Sequence, residues 1–469
     1  MSEAPAVRRM AVPLLIAVSI GNFLVAFDAS AINVAVPQII NELGGTTTDL
    51  QWILDGYTIP LCAFLFLSGV LGDRYGAFRV YRWATVAFLA SSIGCALAWS
   101  TPVLVGMRLM QGAAASFMLP MTLAIIAASE PDPNRRARAV GVWGVVGGCA
   151  IALGPLIGGA LSEVLTWRSI FWLNLPVCAA ALLVIRKHQS TPGNVSRKIS
   201  ALSQGLLLCF LFSVAWVLIS MAHGQLSTLW LVLAWVFVAL VAAALVITDR
   251  RAQTPMIPEQ LWQDRSFLRL TSAGAIYQFC SYGSLLVFTL WASSYQQSGP
   301  LSAGMLVLPC SLAWLCGNLT VWASRPGWRL RIIAAGTVTG FLGALASVLS
   351  SGESSIVLMV GMILVGFASG LLASTLSAQA MHVAPGEVSG AASGMFNTSR
   401  QFGMVVAVAT IGGIGFETGL LPQFSIVIVG FAVILALVFY PGKTRRTRPL
   451  ENHGATNRPP AEATIRTSH

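Results

Sequence analysis

A chain of 469 residues that is 56% hydrophobic and only 10% charged is not an ordinary soluble protein, in which about a quarter of the residues carry charge. Its net charge of +11 invites a nucleic-acid reading, and the positions of the charges reject it. Of 28 Lys and Arg, 25 fall in one alternating set of segments: two before the first apolar run, three or four in each of five successive even-numbered loops, and six in the C-terminal tail. That is the positive-inside pattern of an integral membrane protein. It places both termini in the cytoplasm and makes anionic lipid, not nucleic acid, the partner of Lys443, Arg445, Arg446 and Arg448.

A span needs about 20 apolar residues, and roughly fourteen segments qualify. Met10–Val36 comes first and carries Asn22, Asp28 and Asn33; its run is long for a secretory leader, so it is read as a span. Trp52–Leu71 carries Asp55 and Tyr57 and leads into the turn Gly69 to Arg79, which holds Gly69, Gly72, Asp73, Arg74, Gly76 and Arg79. Glycines there allow close helix approach, and the charges can form an ion network that is made in one helix arrangement and broken in another. Val80–Trp99 follows, then Pro102–Ala128 with Arg108 and Gln111 on one face. Ala139–Leu161 contains Gly141, Gly144, Gly148, Gly154, Pro155, Gly158 and Gly159, the composition of a helix that bends or slides against a neighbour. Ser169–Ile185 completes a first group of six.

A middle pair, Ile199–Met221 and Leu226–Ile247, precedes a second group of six. This group is Phe267–Trp291, Leu301–Trp322, Leu330–Leu349, Ile356–Ala380, Val388–Phe416 and Leu421–Tyr440. Tyr277 and Gln278 lie in its first span, and Asn397, Arg400 and Gln401 form a polar stripe in its fifth. The expected architecture is an all-α membrane protein of two six-helix bundles, 1–190 and 251–442, with two extra helices at 191–250 and a structureless tail at 443–469. Paired halves around a central cavity are typical of secondary transporters. Trp52, Trp99, Trp167, Trp230, Trp291 and Trp322 sit near span ends, as an aromatic belt requires. The eight cysteines all fall in apolar stretches, without metal-ligand spacing or a disulfide framework, and are expected to be buried.

Asp28, Asp55, Arg108 and Arg400 interrupt spans, each at a cost of about 2.5–3.5 kcal/mol at mid-bilayer. At 1.5 Å per residue, Asp28, Asp55 and Arg108 fall at similar heights in the outer half, so two carboxylates and one guanidinium could share a cluster. A carboxylate buried alone holds its proton more tightly, and a guanidinium beside it loosens that hold. Moving Arg108 relative to either Asp would then switch proton affinity. The competing reading is a fixed structural pair. Asn22, Asn33, Tyr57, Gln111, Tyr277, Gln278, Asn397, Arg400 and Gln401 could line a substrate cavity, or serve as interhelical hydrogen bonds.

Several segments together resemble the major facilitator superfamily, and within it the fourteen-span drug:proton antiporters that include methylenomycin-resistance-type exporters. Gly69 to Arg79 is similar to the loop signature between the second and third helices. Arg108-Leu109-Met110-Gln111-Gly112 is similar to the fourth-helix motif linked with proton transfer, and Gly154-Pro155-Leu156-Ile157-Gly158-Gly159 to the end of the fifth-helix antiporter motif. Asp28 to Pro37, Gln51 to Tyr57, Trp167 to Pro176 and Asn397 to Gly403 add further matches. Ala77-Phe78 depart from the loop signature, which usually has basic residues there. The last group of spans has no evident acid of the kind some members use for dicationic drugs.

The resemblance implies proton-driven efflux of a small amphipathic drug, antibiotic or metabolite across the cytoplasmic membrane by alternating access, in a monomer whose partners are substrate, protons and lipid. Proton-coupled uptake, export of an endogenous metabolite, and a transporter-like sensor are the alternatives. No phosphate-binding Gly-Lys-Ser/Thr loop occurs, so the proton-motive force and not ATP is expected to supply the energy, with no cofactor or metal. An intramembrane enzyme would need a nucleophile–base pair or a metal site, and the histidines sit in loops, at span ends or in the tail.

Overall fold

The computed structural model describes residues 10–186, 188, 200–222, 224, 226–253, 255–295, 299–350, 355–384, 389–414 and 420–439, apart from a few helical side chains that include Asp73. The tail expected at 443–469 lies outside these residues.

The first part of the described chain forms α1 (Val12–Leu43), α2 (Thr47–Ala63), α3 (Leu65–Tyr75), α4 (Ala77–Ala96), α5 (Thr101–Ser129), α6 (Pro133–Val164) and α7 (Arg168–Ile185). The middle pair is α8 (Ala201–Ala222) and α9 (Thr228–Arg251), followed by the short α10 (Glu259–Gln263). The last part is α11 (Arg265–Tyr295), α12 (Pro300–Ala323), α13 (Arg329–Leu349), α14 (Ser355–Val383), α15 (Ser389–Ile411) and α16 (Leu421–Phe439). Eleven helices among the described residues are long and apolar enough to cross a bilayer. The other three expected spans are also helical: α2 with α3, α4 with Arg79 and Arg82 in its opening turns, and α15 with Asn397, Arg400 and Gln401.

The expected span Trp52–Leu71 is two helices, broken at Phe64, one turn after Pro60. Pro60 crowds the turn that precedes it, while the Phe64 N–H still donates to the Pro60 carbonyl at 3.1 Å, so the interruption is a single-residue bend. Elsewhere proline is absorbed: α1 runs through Pro37 to Leu43, past the expected end at Val36. α2 starts on a capping box, with the Thr46 side chain and Asp49 satisfying each other's backbone N–H.

The chain alternates between two ends of the molecule. One, the basic end, carries Arg74, Arg135, Arg250 and Arg329; the far end carries the α1–α2, α4–α5 and α6–α7 turns. Arg168, the exception at the far end, pairs with Glu42 and donates to the Ala98 carbonyl at 3.0 Å, tying α7 to α1 and to the residues that follow α4. Trp167 is fully buried there and donates to Glu42 at 2.7 Å, so it is an internal anchor, not part of an interfacial belt. Trp99, Trp230 and Trp322 are exposed. Cys209 and Cys316 are exposed as well, contrary to expectation, because they lie on outward helix faces that lipid can solvate as well as protein can.

α1 packs on α2, α5, α6 and α7, and α4 on α5 and α7; α11 packs on α14, α15 and α16, and α13 on α14 and α16. The two groups meet along α6 with α12 and along α2–α3 with α15. α8 lies against α2 and α15, while α9 touches mainly α8 and leaves most of its apolar surface outward.

Candidate functional site

α1, α4, α5 and α7 bring a polar cluster together inside the first group. Asp28 forms an ion pair with Arg108, both essentially fully buried. Gln111 and Asn174 donate to Asp28 Oδ1 at 3.0 and 3.2 Å. Arg108 also donates to Gln111 Oε1 at 3.0 Å and to the Ile53 carbonyl at 3.2 Å, and its guanidinium lies 4.3 Å from the Tyr57 ring centre. The Tyr57 hydroxyl donates to the Val25 carbonyl at 3.1 Å. Ser92 extends the network, accepting from Asn174 at 2.9 Å. Gly112 permits the close approach of α5 to α2, since a Cβ there would lie 2.0 Å from the Tyr57 carbonyl oxygen.

Asp55 does not join this cluster. Its carboxylate is fully buried, accepts from Thr58 at 2.9 Å, and leaves Oδ2 without a partner among the described residues. The reason is helix phase: Gln51, Asp55, Thr58 and Cys62 form one stripe of α2, and that stripe faces α15. Gln51 donates to the Ala409 carbonyl at 3.1 Å and Cys62 to the Thr398 carbonyl at 3.2 Å.

A cavity of about 550 Å³ lies between the two groups. Of the expected lining residues it meets Asn22, Gln278, Asn397, Arg400 and Gln401. Four others do not line it. Tyr57 and Gln111 belong to the Asp28–Arg108 cluster. Asn33 accepts from Tyr282 at 3.2 Å, and Tyr277 is fully buried with its ring centre 5.7 Å from the Arg400 guanidinium. The lining residues that sequence reading missed are chiefly Trp143, Trp314, Asn318 and Trp322. Single indoles and amides in apolar spans give no signal of which way they face.

The cavity occupies the half nearer the basic end, along Gly141–Ile151 of α6 and Trp314–Trp322 of α12. Toward the far end the groups close at backbone distance. A Cβ on Gly159 would lie 2.3 Å from the Pro300 oxygen and one on Gly304 2.4 Å from the Pro155 oxygen; within the first group, one on Gly158 would lie 2.6 Å from the Ala31 oxygen of α1. Gly154 also faces α1, where a Cβ would lie 2.0 Å from the Ser30 side-chain oxygen. Toward the basic end the α6 glycines face side chains of α12 at ordinary contact distance: a Cβ on Gly148 or on Gly141 would lie 3.4 Å from Leu315 or Trp322. Two further contacts bridge the groups on the closed side. The Tyr282 hydroxyl reaches the Ala29 carbonyl at 2.8 Å, and Glu163 accepts from Leu301 N at 2.9 Å, at the start of α12.

In the loop after α3, Gly76 has φ +84°, the conformation that lets α3 turn into α4 within one residue. Gly72 packs on the flexible Met121 side chain, whereas nothing lies within 4 Å of a Cβ on Gly69, so close packing explains Gly72 and not Gly69. Arg74 is exposed over the Tyr75 ring. The expected ion network centres on Asp73, whose side chain lies outside the described part of the structure.

Residues 18–408 match the sequence profile of the Major Facilitator Superfamily. The methylenomycin A resistance protein of Streptomyces coelicolor is 28% identical over 420 residues, 88% of each chain. The multidrug resistance protein Stp of Mycobacterium tuberculosis is 31% identical over 85% of this chain and 75% of its own. The tetracenomycin C resistance and export protein of Streptomyces glaucescens is 27% identical over the same shares. A crystal structure of the peptide transporter POT has the same fold, with TM-score 0.68 at 14% identity over 92% of this chain and 95% of that one. With two helix groups around a cavity, a profile match over most of the chain and relatives named for resistance and export, the chain belongs to the major facilitator superfamily and is a multi-pass membrane transporter rather than an enzyme.

Proposed function

We propose that the protein exports a small amphipathic compound in exchange for protons, by alternating access of the central cavity. The observation that carries this reading is the asymmetry of that cavity: side chains border it toward the basic end, and backbone-tight contacts of α6 with α12 close the two groups toward the far end. With the basic end cytoplasmic, as the positive-inside rule orients it, this is the state that loads from the cytoplasm. The names of the relatives support efflux over uptake.

Asp55 and the Asp28–Arg108 pair are the proposed coupling groups. A carboxylate at this depth without a cation costs several kcal/mol to keep ionised. Parting α2 from α15 at the far end would expose Asp55 to the outer solution, where it takes up a proton; reclosing would carry that proton inward. Asp28 holds Arg108 away from the α2–α15 seam, so a shift of α5 against α1 changes the charge that Asp55 faces.

Reconstitution in liposomes loaded with a pH-sensitive dye tests this. Substrate on the cavity side should dissipate an imposed pH gradient, and Asp55→Asn should abolish that response while keeping the wild-type melting temperature. Solute movement indifferent to the proton-motive force would overturn the proposal; an unchanged Asp55→Asn response would remove Asp55 from it.

A further inference from the structure

The cavity carries one uncompensated positive charge. Arg400 lines it, and no Asp, Glu, Lys or His does so among the described residues. Among the described residues every partner of Arg400 is neutral. Nε and Nη2 donate to Gln278 Oε1 at 3.3 and 3.1 Å, Nη1 reaches Ser377 Oγ at 3.5 Å, and the face of the guanidinium is turned to Tyr277. The ion pairs among the described residues, Arg108–Asp28 and Arg168–Glu42, lie elsewhere. A guanidinium has five N–H donors, so donors remain for a guest. Gln278 and Gln401 line the same space, and neither side-chain amide nitrogen donates a hydrogen bond among the described residues.

A cation at membrane depth faces a bundle interior or a water-filled cavity and marks a substrate or ion path; with no carboxylate lining the cavity among the described residues, Arg400 is left to an anionic ligand. The rest of the wall is aromatic and apolar, with Trp143, Trp314, Leu315 and Trp322. We infer that the transported compound is an amphipathic monoanion, a carboxylate or an acidic enolate or phenolate on an apolar ring body, whose charged oxygens bind Arg400 with Gln278 and Gln401 beside it. Arginine presents two parallel N–H groups that match a carboxylate. One fixed cation selects a single negative charge, and a cationic compound meets repulsion without a counter-charge. Exporting a monoanion against one proton moves two positive charges inward, so a negative-inside potential drives the exchange. This inference rests on the export reading for its meaning, not for its test.

The test uses the purified full-length protein in lipid nanodiscs, without any gradient, and three probes of one shape: 2-naphthylacetate, 2-naphthylacetamide and 2-naphthylmethyl-trimethylammonium. Equilibrium dialysis should show the carboxylate binding about tenfold to a hundredfold more tightly than the amide, with the cation weakest. Arg400→Gln should erase the difference between carboxylate and amide, and Arg400→Lys should restore part of it. Should Arg400→Gln fail to fold, the wild-type series still decides, because a site that prefers the cation, ignores charge, or binds none of the three overturns the inference. Charge preference without proton-driven transport would fail the export reading alone. Proton-driven transport of cations would fail this inference alone.

Discussion

Arg108 shows how a single side chain organises a membrane interior. It meets a carboxylate, an amide, a backbone carbonyl and an aromatic face, all within reach of one planar group. Removing one partner of a buried pair strands the other and costs about 3–5 kcal/mol. Arg108→Ala alone should therefore lower thermal stability sharply in detergent. Adding Asp28→Asn should recover most of the loss, because Asn still accepts from Gln111 and no charge is left unpaired. Transport should stay absent in the double variant; a double variant as unstable as the single one would show that packing, not charge, is at stake. Asp28 and Arg108 were legible in the sequence because charges in apolar spans are rare; Gln111 was expected in the cavity instead. Asn174 and Ser92 were not, since neutral polar residues occur in many spans without clustering.

At the scale of an element, α6 is the part most finely fitted. Its glycines were visible as composition, yet the structure divides them. Gly154 and Gly158 meet α1, Gly159 meets α12, and a Cβ on Gly144 would touch nothing within 4 Å. A side chain at Gly159 would collide with a backbone carbonyl, which cannot rotate away as a side chain can. Gly159→Val should part α6 from α12 at the far end. Spin labels at Val164 and Leu301 should then report a longer distance, with transport lost; an unaltered distance and normal export would refute the gate. Glu163 caps the start of α12 from the other group. Losing such a cap costs about 1 kcal/mol, so Glu163→Ala should shift the closed-to-open ratio by about fivefold, seen in the same label pair. Nothing in the sequence marked Glu163, because its partner is a backbone N–H in another helix.

Over the whole molecule, Lys and Arg border the connections at one end from α3–α4 to α12–α13, while the α14–α15 connection at that end has none. With the native cysteines replaced, an impermeant maleimide should label a cysteine at Ser227 in intact cells and spare one at Ala252. The reverse pattern would invert the membrane orientation and the direction of loading. α8 and α9 add no residue to the cavity and flank the α2–α15 seam. Exposed-face substitutions in α9 such as Leu240→Ala should therefore change transport by less than about twofold, in keeping with the small effects of surface changes.

Composition, hydropathic run length and charge alternation were enough to determine membrane class and the order of the apolar segments, because a bilayer imposes those constraints on each segment separately. Which polar residues meet was decided only by tertiary structure. Asp28 and Asp55 look alike in sequence, and helix phase alone turns one toward Arg108 and the other toward α15. Tyr57 and Gln111 look like cavity residues until packing assigns them to the ion pair. Whether a buried charge is neutralised depends on neighbours far off in the chain, 80 residues for Arg108 and Asp28, and that is why Arg400 stands out as the uncompensated charge among the described cavity residues only once the helices are assembled.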